Sequence, residues 1–167
     1  ISEIDKTTGT HNVILRFFGS SEENLLNIAT MQFLKSNHFE FIDPSNWTAT
    51  SSYNNSSAHL AFDGLINTRW HTRAQNGGEW FLIDMNDEVS FDKITLDSGV
   101  KINDYPREYE IYVSNDGINF GTAVASGVGT EGVTIIDLSL HKARFIKIVQ
   151  TGKTETTYWS IYNLCVF

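Results

Sequence analysis

Beyond residue 80 the chain alternates. Phe81, Ile83 and Met85 alternate with Leu82 and Asp84, and Ile94 and Leu96 with Thr95 and Asp97. Tyr109, Ile111 and Val113 alternate with Glu110, Tyr112 and Ser114, and Ile146 and Ile148 with Phe145 and Lys147. A period of two sends successive side chains to opposite faces, so each run predicts a strand with one face in a core. Turn signals separate the runs: Asn76-Gly77-Gly78, Asn115-Asp116-Gly117 and Gly127-Val128-Gly129. Short strands at this spacing, with no helical pattern between them, predict an all-β antiparallel sandwich. Its irregular loops gather at the two ends, where binding residues usually sit.

Upstream the pattern is less uniform. Val13–Phe18 reads as a buried strand ending at Gly19. Ser20 with Glu23 makes a capping box ahead of Leu25, Leu26, Ala29 and Phe33, a spacing that favours a helix. Leu26-Asn27-Ile28-Ala29 alternates in part, which keeps a strand open. A polar interval over residues 38–46, carrying Pro44, divides this region from the rest.

Composition narrows the class. The 167 residues are 41% hydrophobic, too apolar for a disordered chain, and no apolar run approaches a membrane span. Twelve basic against twenty acidic residues give a net charge of −8, which argues against nucleic acid and anionic lipid as partners. A single cysteine, Cys165, excludes an intramolecular disulfide and a cysteine-built zinc site. The chain starts at Ile1 without a signal peptide and is read as a piece of a larger protein. No serine elbow, metalloprotease helix, phosphate loop or dinucleotide fingerprint is present. Asp84, Glu108 and Glu110 form no readable acid/base pair of the kind glycoside hydrolysis requires.

Several motifs fall in a telling order: Trp47–Ser52, Ala61-Phe62-Asp63-Gly64, Asn67–Thr72, Trp80–Met85, Tyr105–Gly117, Ala143–Ile148 and Trp159-Ser160-Ile161. In this order they resemble the coagulation factor V/VIII type C (discoidin) family, and more closely its bacterial branch, carbohydrate-binding module family 32. The resemblance covers residues 39–167 as one domain and implies a jelly-roll-like sandwich with a structural calcium ion. Residues 1–38 resemble the closing strands of a family 6 carbohydrate-binding module plus a linker, through Thr8–Leu15, Phe17-Phe18-Gly19 and Asn24–Ile28. That second resemblance replaces the helix reading of residues 24–33 with strands.

Carried over by position, the calcium ligands are Asp63, the hydroxyl and carbonyl of Thr68, and the carbonyls of Leu60 and Leu65. The family's C-terminal acidic ligand falls on Asn163, whose amide brings one fewer negative charge. The family also binds through loops at one end of the sandwich. A pyranose offers an apolar face and a rim of hydroxyls, which suit flat aromatic rings beside planar hydrogen-bonding groups. The loops here hold Tyr53, Asn54, Arg73, Asp104, Tyr105, Arg107, Tyr158 and Trp159, with His59 and His71 as additions. Tyr158 or Tyr53 is expected to be the platform, while Trp47, Trp70 and Trp80 read as core.

The expected function is therefore that of a non-catalytic carbohydrate-binding module. Its partners would be a polysaccharide or glycan and a glycoside hydrolase domain in the same secreted, bacterial parent. The alternative is a discoidin-type phospholipid-binding or adhesion domain, which the net charge and polar loop tips disfavour. The resemblance leaves the sugar open among galactose, N-acetylglucosamine, glucans, mannans and chitosan.

Overall fold

The computed structural model describes residues 41–167; the readings on residues 1–38 lie outside this range. The eight strands are β1 (Thr48–Ser51), β2 (Trp70–His71), β3 (Glu79–Asp97), β4 (Glu108–Ser114), β5 (Ala125–Val128), β6 (Val133–Gln150), β7 (Ser160–Ile161) and β8 (Asn163–Val166). One 3-10 helix, Asn55–Ala61, follows β1. All strand pairings are antiparallel.

Strands β3 and β6, at 19 and 18 residues, are far longer than a strand in one layer needs. Their mutual register breaks between Asp84 and Val89 and again between Phe91 and Lys93. Before the breaks the buried apolar positions of β3 are Phe81, Ile83 and Met85; after them they are Ile94 and Leu96. That switch from odd to even is what an extra residue in one strand produces, and it bends the strand. Each long strand thus serves both layers of a β-sandwich. One hydrogen-bonded sheet runs β1-β3-β6-β4-β5, with β8 paired to the far half of β3, and β2 pairs with β7 in a second sheet of two strands.

The alternating runs form one core. Phe81, Ile83, Ile94, Ile111, Ile146, Ile148 and Leu164 are fully buried and belong to a single cluster with Trp47, Trp70 and Trp159. Burying each such side chain stabilises the fold by roughly 1.5–3 kcal/mol. Trp80 departs from expectation. It stands opposite Phe81 in the pleat and is half-buried on the outer sheet face, with Lys147 Nζ 5.4 Å from its ring centre. The Gly127-Val128-Gly129 stretch also departs. It is no turn at residues 127–128, which lie in edge strand β5 with Gly127 opposite Tyr109. A Cβ on Gly127 would stand 2.6 Å from the Tyr109 hydroxyl oxygen, so glycine is there to admit the tyrosine ring.

Candidate functional site: the loop end of the sandwich

The core reaches directly into the loops. Trp70 is fully buried, edge-on to Phe81 and Trp159 with ring centres 4.8 and 4.9 Å away. Its indole N–H points outward, donating to the Tyr53 carbonyl (2.7 Å) and to Ser51 Oγ (3.0 Å). This fixes the loop after β1 from below. Asn54 follows in the left-handed region (φ 50°), which asparagine tolerates, and its amide donates to the His71 carbonyl at 2.8 Å.

Thr72 and Trp159 exchange hydrogen bonds: Thr72 N–H to the Trp159 carbonyl (2.8 Å) and Trp159 N–H to Thr72 Oγ1 (2.9 Å). The exchange seats Tyr158 against His71, their rings stacked 5.5 Å apart and 13° from parallel. Tyr158 stays 41% exposed, so one aromatic surface faces solvent. His71 Nδ1 lies 2.7 Å from the Thr72 carbonyl, an atom that only accepts, so Nδ1 carries the proton. In the neutral ring Nε2 is then an acceptor. The Arg73 guanidinium lies 6.0 Å from the Tyr53 ring centre.

Gln75 joins the loops from underneath. It is 1% exposed, and its amide nitrogen donates to the carbonyls of Tyr105 (3.0 Å) and Tyr158 (2.8 Å). Its oxygen accepts from the Arg107 N–H (2.9 Å) and from Gln150 Nε2 (2.8 Å). All four bonding positions of the amide are used. Arg107 lies over the Tyr105 ring at 4.0 Å and donates from Nη2 to the Asn103 carbonyl (3.0 Å) and Thr157 Oγ1 (2.8 Å). Gly152 makes the approach possible, since a Cβ there would meet Arg107 Cβ at 2.5 Å.

A second constellation surrounds Asp63. The Thr68 hydroxyl oxygen is 2.8 Å from each Asp63 carboxylate oxygen and 2.9 Å from the Leu65 carbonyl. The Leu65 N–H also reaches Asp63 Oδ1, at 2.9 Å. One hydroxyl proton thus faces three acceptor oxygens. A hard cation suits such an oxygen-rich, proton-poor set, so the residues present fit calcium. Leu60 ends the turn before Ala61 in the 3-10 helix, and Asn163, at the start of β8, directs its amide to Cys165 Sγ (3.4 Å).

The F5/8 type C domain profile matches residues 46–164. The chain belongs to the F5/8 type C domain family. Among solved structures, this domain is similar to a family 32 carbohydrate-binding module of Clostridium perfringens in complex with GalNAc-β-1,3-galactose. The two share 23% identity and a TM-score of 0.65, over 77% of this chain and 99% of that one. It is also similar to the family 32 module of Clostridium perfringens NanJ in complex with galactose, at 26% identity and a TM-score of 0.63 over 75% and 96% of the two chains. The Gibberella zeae galactose oxidase shares 27% identity over 139 residues, which is 75% of this chain and 20% of that protein. The chain thus spans about a fifth of the length of the curated relatives it matches.

Within this F5/8 type C domain Asn54 and Tyr158 meet at His71, Arg73 lies beside Tyr53, and Tyr105, Arg107 and Tyr158 are tied together by Gln75. Two expectations need correction. Trp159 is fully buried against Trp70 and offers no ring to a ligand. Asp104 is a brace. Its Oδ1 accepts from the Tyr158 N–H (3.3 Å), and its Oδ2 accepts from Ser160 Oγ (2.9 Å) and Arg69 Nη1 (3.4 Å). The loop tips are also less polar than expected, since Leu65, Ile66, Val100 and Ile102 are 45–82% exposed. Gln75 is not among the candidates expected from the sequence. Nothing local marks it as the hub, because its partners lie 30 to 83 residues away. His71 was named only as an addition, and His59, exposed in the 3-10 helix, makes no contact with this cluster among the bonds of the described residues.

Proposed function

We propose that this F5/8 type C domain is a non-catalytic carbohydrate-binding module. The observation that carries the reading is the 41% exposed Tyr158, its ring held nearly parallel to His71, with Asn54 bonded to the His71 carbonyl and Arg73 beside the Tyr53 ring on the neighbouring loops. A flat ring beside planar donors and an imidazole acceptor suits a sugar's apolar face and its hydroxyl rim. The family 32 modules of similar fold, seen with galactose and with GalNAc-β-1,3-galactose, support it.

Three carboxylates have structural partners. Asp84 is forked to Arg144, Glu110 accepts the Tyr112 hydroxyl (2.6 Å), and Glu79 accepts the N–H groups of Asn76 and Gly77. In its parent protein the module tethers a secreted glycoside hydrolase to polysaccharide, where modest affinity gains effect through local concentration. Asp63, Leu65 and Thr68, with Leu60 and Asn163, hold a structural calcium ion that stiffens the loops.

The test is titration against a glycan panel with Tyr158→Ala alongside. Loss of one stacking ring should weaken binding about tenfold, with the melting temperature unchanged because the ring is exposed. Wild-type affinity in the variant, or no glycan retained by the parent chain, overturns the reading. One observation favours the phospholipid alternative: Val100 and Ile102, on either side of Lys101 in the chain, are exposed, as are Leu65 and Ile66. Co-sedimentation with phosphatidylserine vesicles, in the absence of any glycan binding, would establish it instead.

A further inference from the structure

The described residues include four arginines, and they divide into two kinds. Arg144 donates to both oxygens of Asp84 (2.7 and 2.8 Å), and Arg69 reaches Asp104 (3.4 Å). Each has a carboxylate for a partner. Arg73 and Arg107 form no ion pair among the described residues. Arg73 is exposed beside the Tyr53 ring; Arg107 lies flat on Tyr105 and bonds only to a carbonyl and a hydroxyl, through Nη2 alone. Both unpaired guanidinium groups belong to the loop end. Their loops are joined by Gln75, two residues after Arg73, whose oxygen holds the Arg107 N–H.

In a chain of net charge −8, two arginines of one loop cluster are left without a carboxylate partner among the described residues. Of the acidic groups on these loops, Asp104 and Glu79 are engaged, while Glu108 and Glu155 are exposed. Asp104 is matched by Arg69, and Glu79 is bound by two backbone N–H groups. Glu155, exposed in the loop before Tyr158, is accompanied by the exposed Lys153. The remaining acidic surface acts over distance and is screened beyond about 8 Å at physiological salt. At contact distance the free guanidinium donors decide. They are a fork that matches a carboxylate or sulfate in two parallel charge-assisted hydrogen bonds, a geometry that no single hydroxyl provides.

We propose that the glycan taken by this site is anionic, a uronate- or sulfate-bearing saccharide whose charged groups are met by Arg73 and Arg107 while a ring face rests on Tyr158. This inference rests on the glycan-binding reading and adds the class of sugar. Arg107 is pre-positioned by Tyr105, Asn103 and Thr157, with Nε and Nη1 left for ligand. Arg73 is the more exposed donor, beside the Tyr53 ring.

The experiment is affinity electrophoresis and calorimetric titration of the 167-residue chain against paired polymers. One member is neutral (galactan, mannan), the other acidic (polygalacturonate, alginate, a sulfated galactan), with salt varied from about 20 to about 500 mM NaCl. The expected result is preferential binding to acidic polymers that weakens with salt. Arg73→Gln should lower that affinity about tenfold without altering the melting temperature, and Arg73→Lys should recover part of it. Arg107→Lys separates charge from stacking should Arg107→Gln disturb its loop. Equal, salt-independent binding of neutral and acidic polymers would overturn the charge assignment and leave the glycan reading standing. Retention of no polymer overturns both.

Discussion

Asp84 and Arg144 meet as a two-pronged ion pair on the outer sheet face, their side chains 25% and 39% exposed. The Arg144 hydrogen bonds, joined by the Asn86 N–H, hold the Asp84 carboxyl below its ordinary value of 3.8. Asp116 is shifted the same way, chiefly by the Asn119 N–H. Depressed carboxyls make the unfolded chain the stronger proton binder in acid, so stability falls as pH falls below 3.8. Melting temperatures followed from neutral pH down through that range should show it. Asp84→Asn should start lower and lose less than wild type, with a residual slope from Asp116. Parallel curves would show that the pair contributes nothing. At this scale the sequence is partly legible. Trp80 could have been placed outside, since Phe81 next to it carries the inward parity, but its size invited a core assignment. Trp159 and Asp104 could not be sorted, because their burial and bonding depend on Trp70, Arg69 and Ser160, which the chain brings to them only on folding.

At the scale of elements, alternation identifies strands well wherever one face is buried, as in β3, β4 and β6. It fails at an edge with glycine, where no side chain reports the pleat. Strand β5 is such a case: its Gly127 accommodates Tyr109 across the ladder, and the pattern there reads as a turn. Gly127→Ala would put a methyl group 2.6 Å from the Tyr109 hydroxyl oxygen and 2.9 Å from Cζ. The cost of such overpacking is about 1–3 kcal/mol. Tyr109→Phe removes the nearer atom and should recover part of that loss in the double variant, a non-additivity readable by urea denaturation. Strictly additive losses would mean that Tyr109 is not what the glycine serves. The register breaks in β3 and β6 are likewise invisible beforehand. A run of apolar residues changing parity near Asp92 reads equally well as two strands or as one bent strand.

At the scale of the molecule, the loop end is held by buried polar links and the Asp63 turn by the oxygens around Thr68. In the first, Gln75 has all four of its bonds without a ligand. The second is not balanced, since one Thr68 proton is surrounded by three oxygens. A divalent ion binding only the folded chain raises its stability by RT ln(1 + [ion]/Kd), about 2.7 kcal/mol at a hundredfold excess over Kd. Removing calcium with EDTA should therefore lower the melting temperature by several degrees, and excess calcium should restore it. Magnesium should do so poorly, because it demands a tighter octahedral shell and sheds water reluctantly. Asp63→Asn should melt near the EDTA-treated value and ignore both additions. Asn163→Asp restores the missing negative charge, so it should bind calcium more tightly than the parent and resist a weaker chelator. If the parent chain melts at one temperature with EDTA and with calcium, the oxygens around Thr68 are a hydrogen-bonded turn and hold no ion.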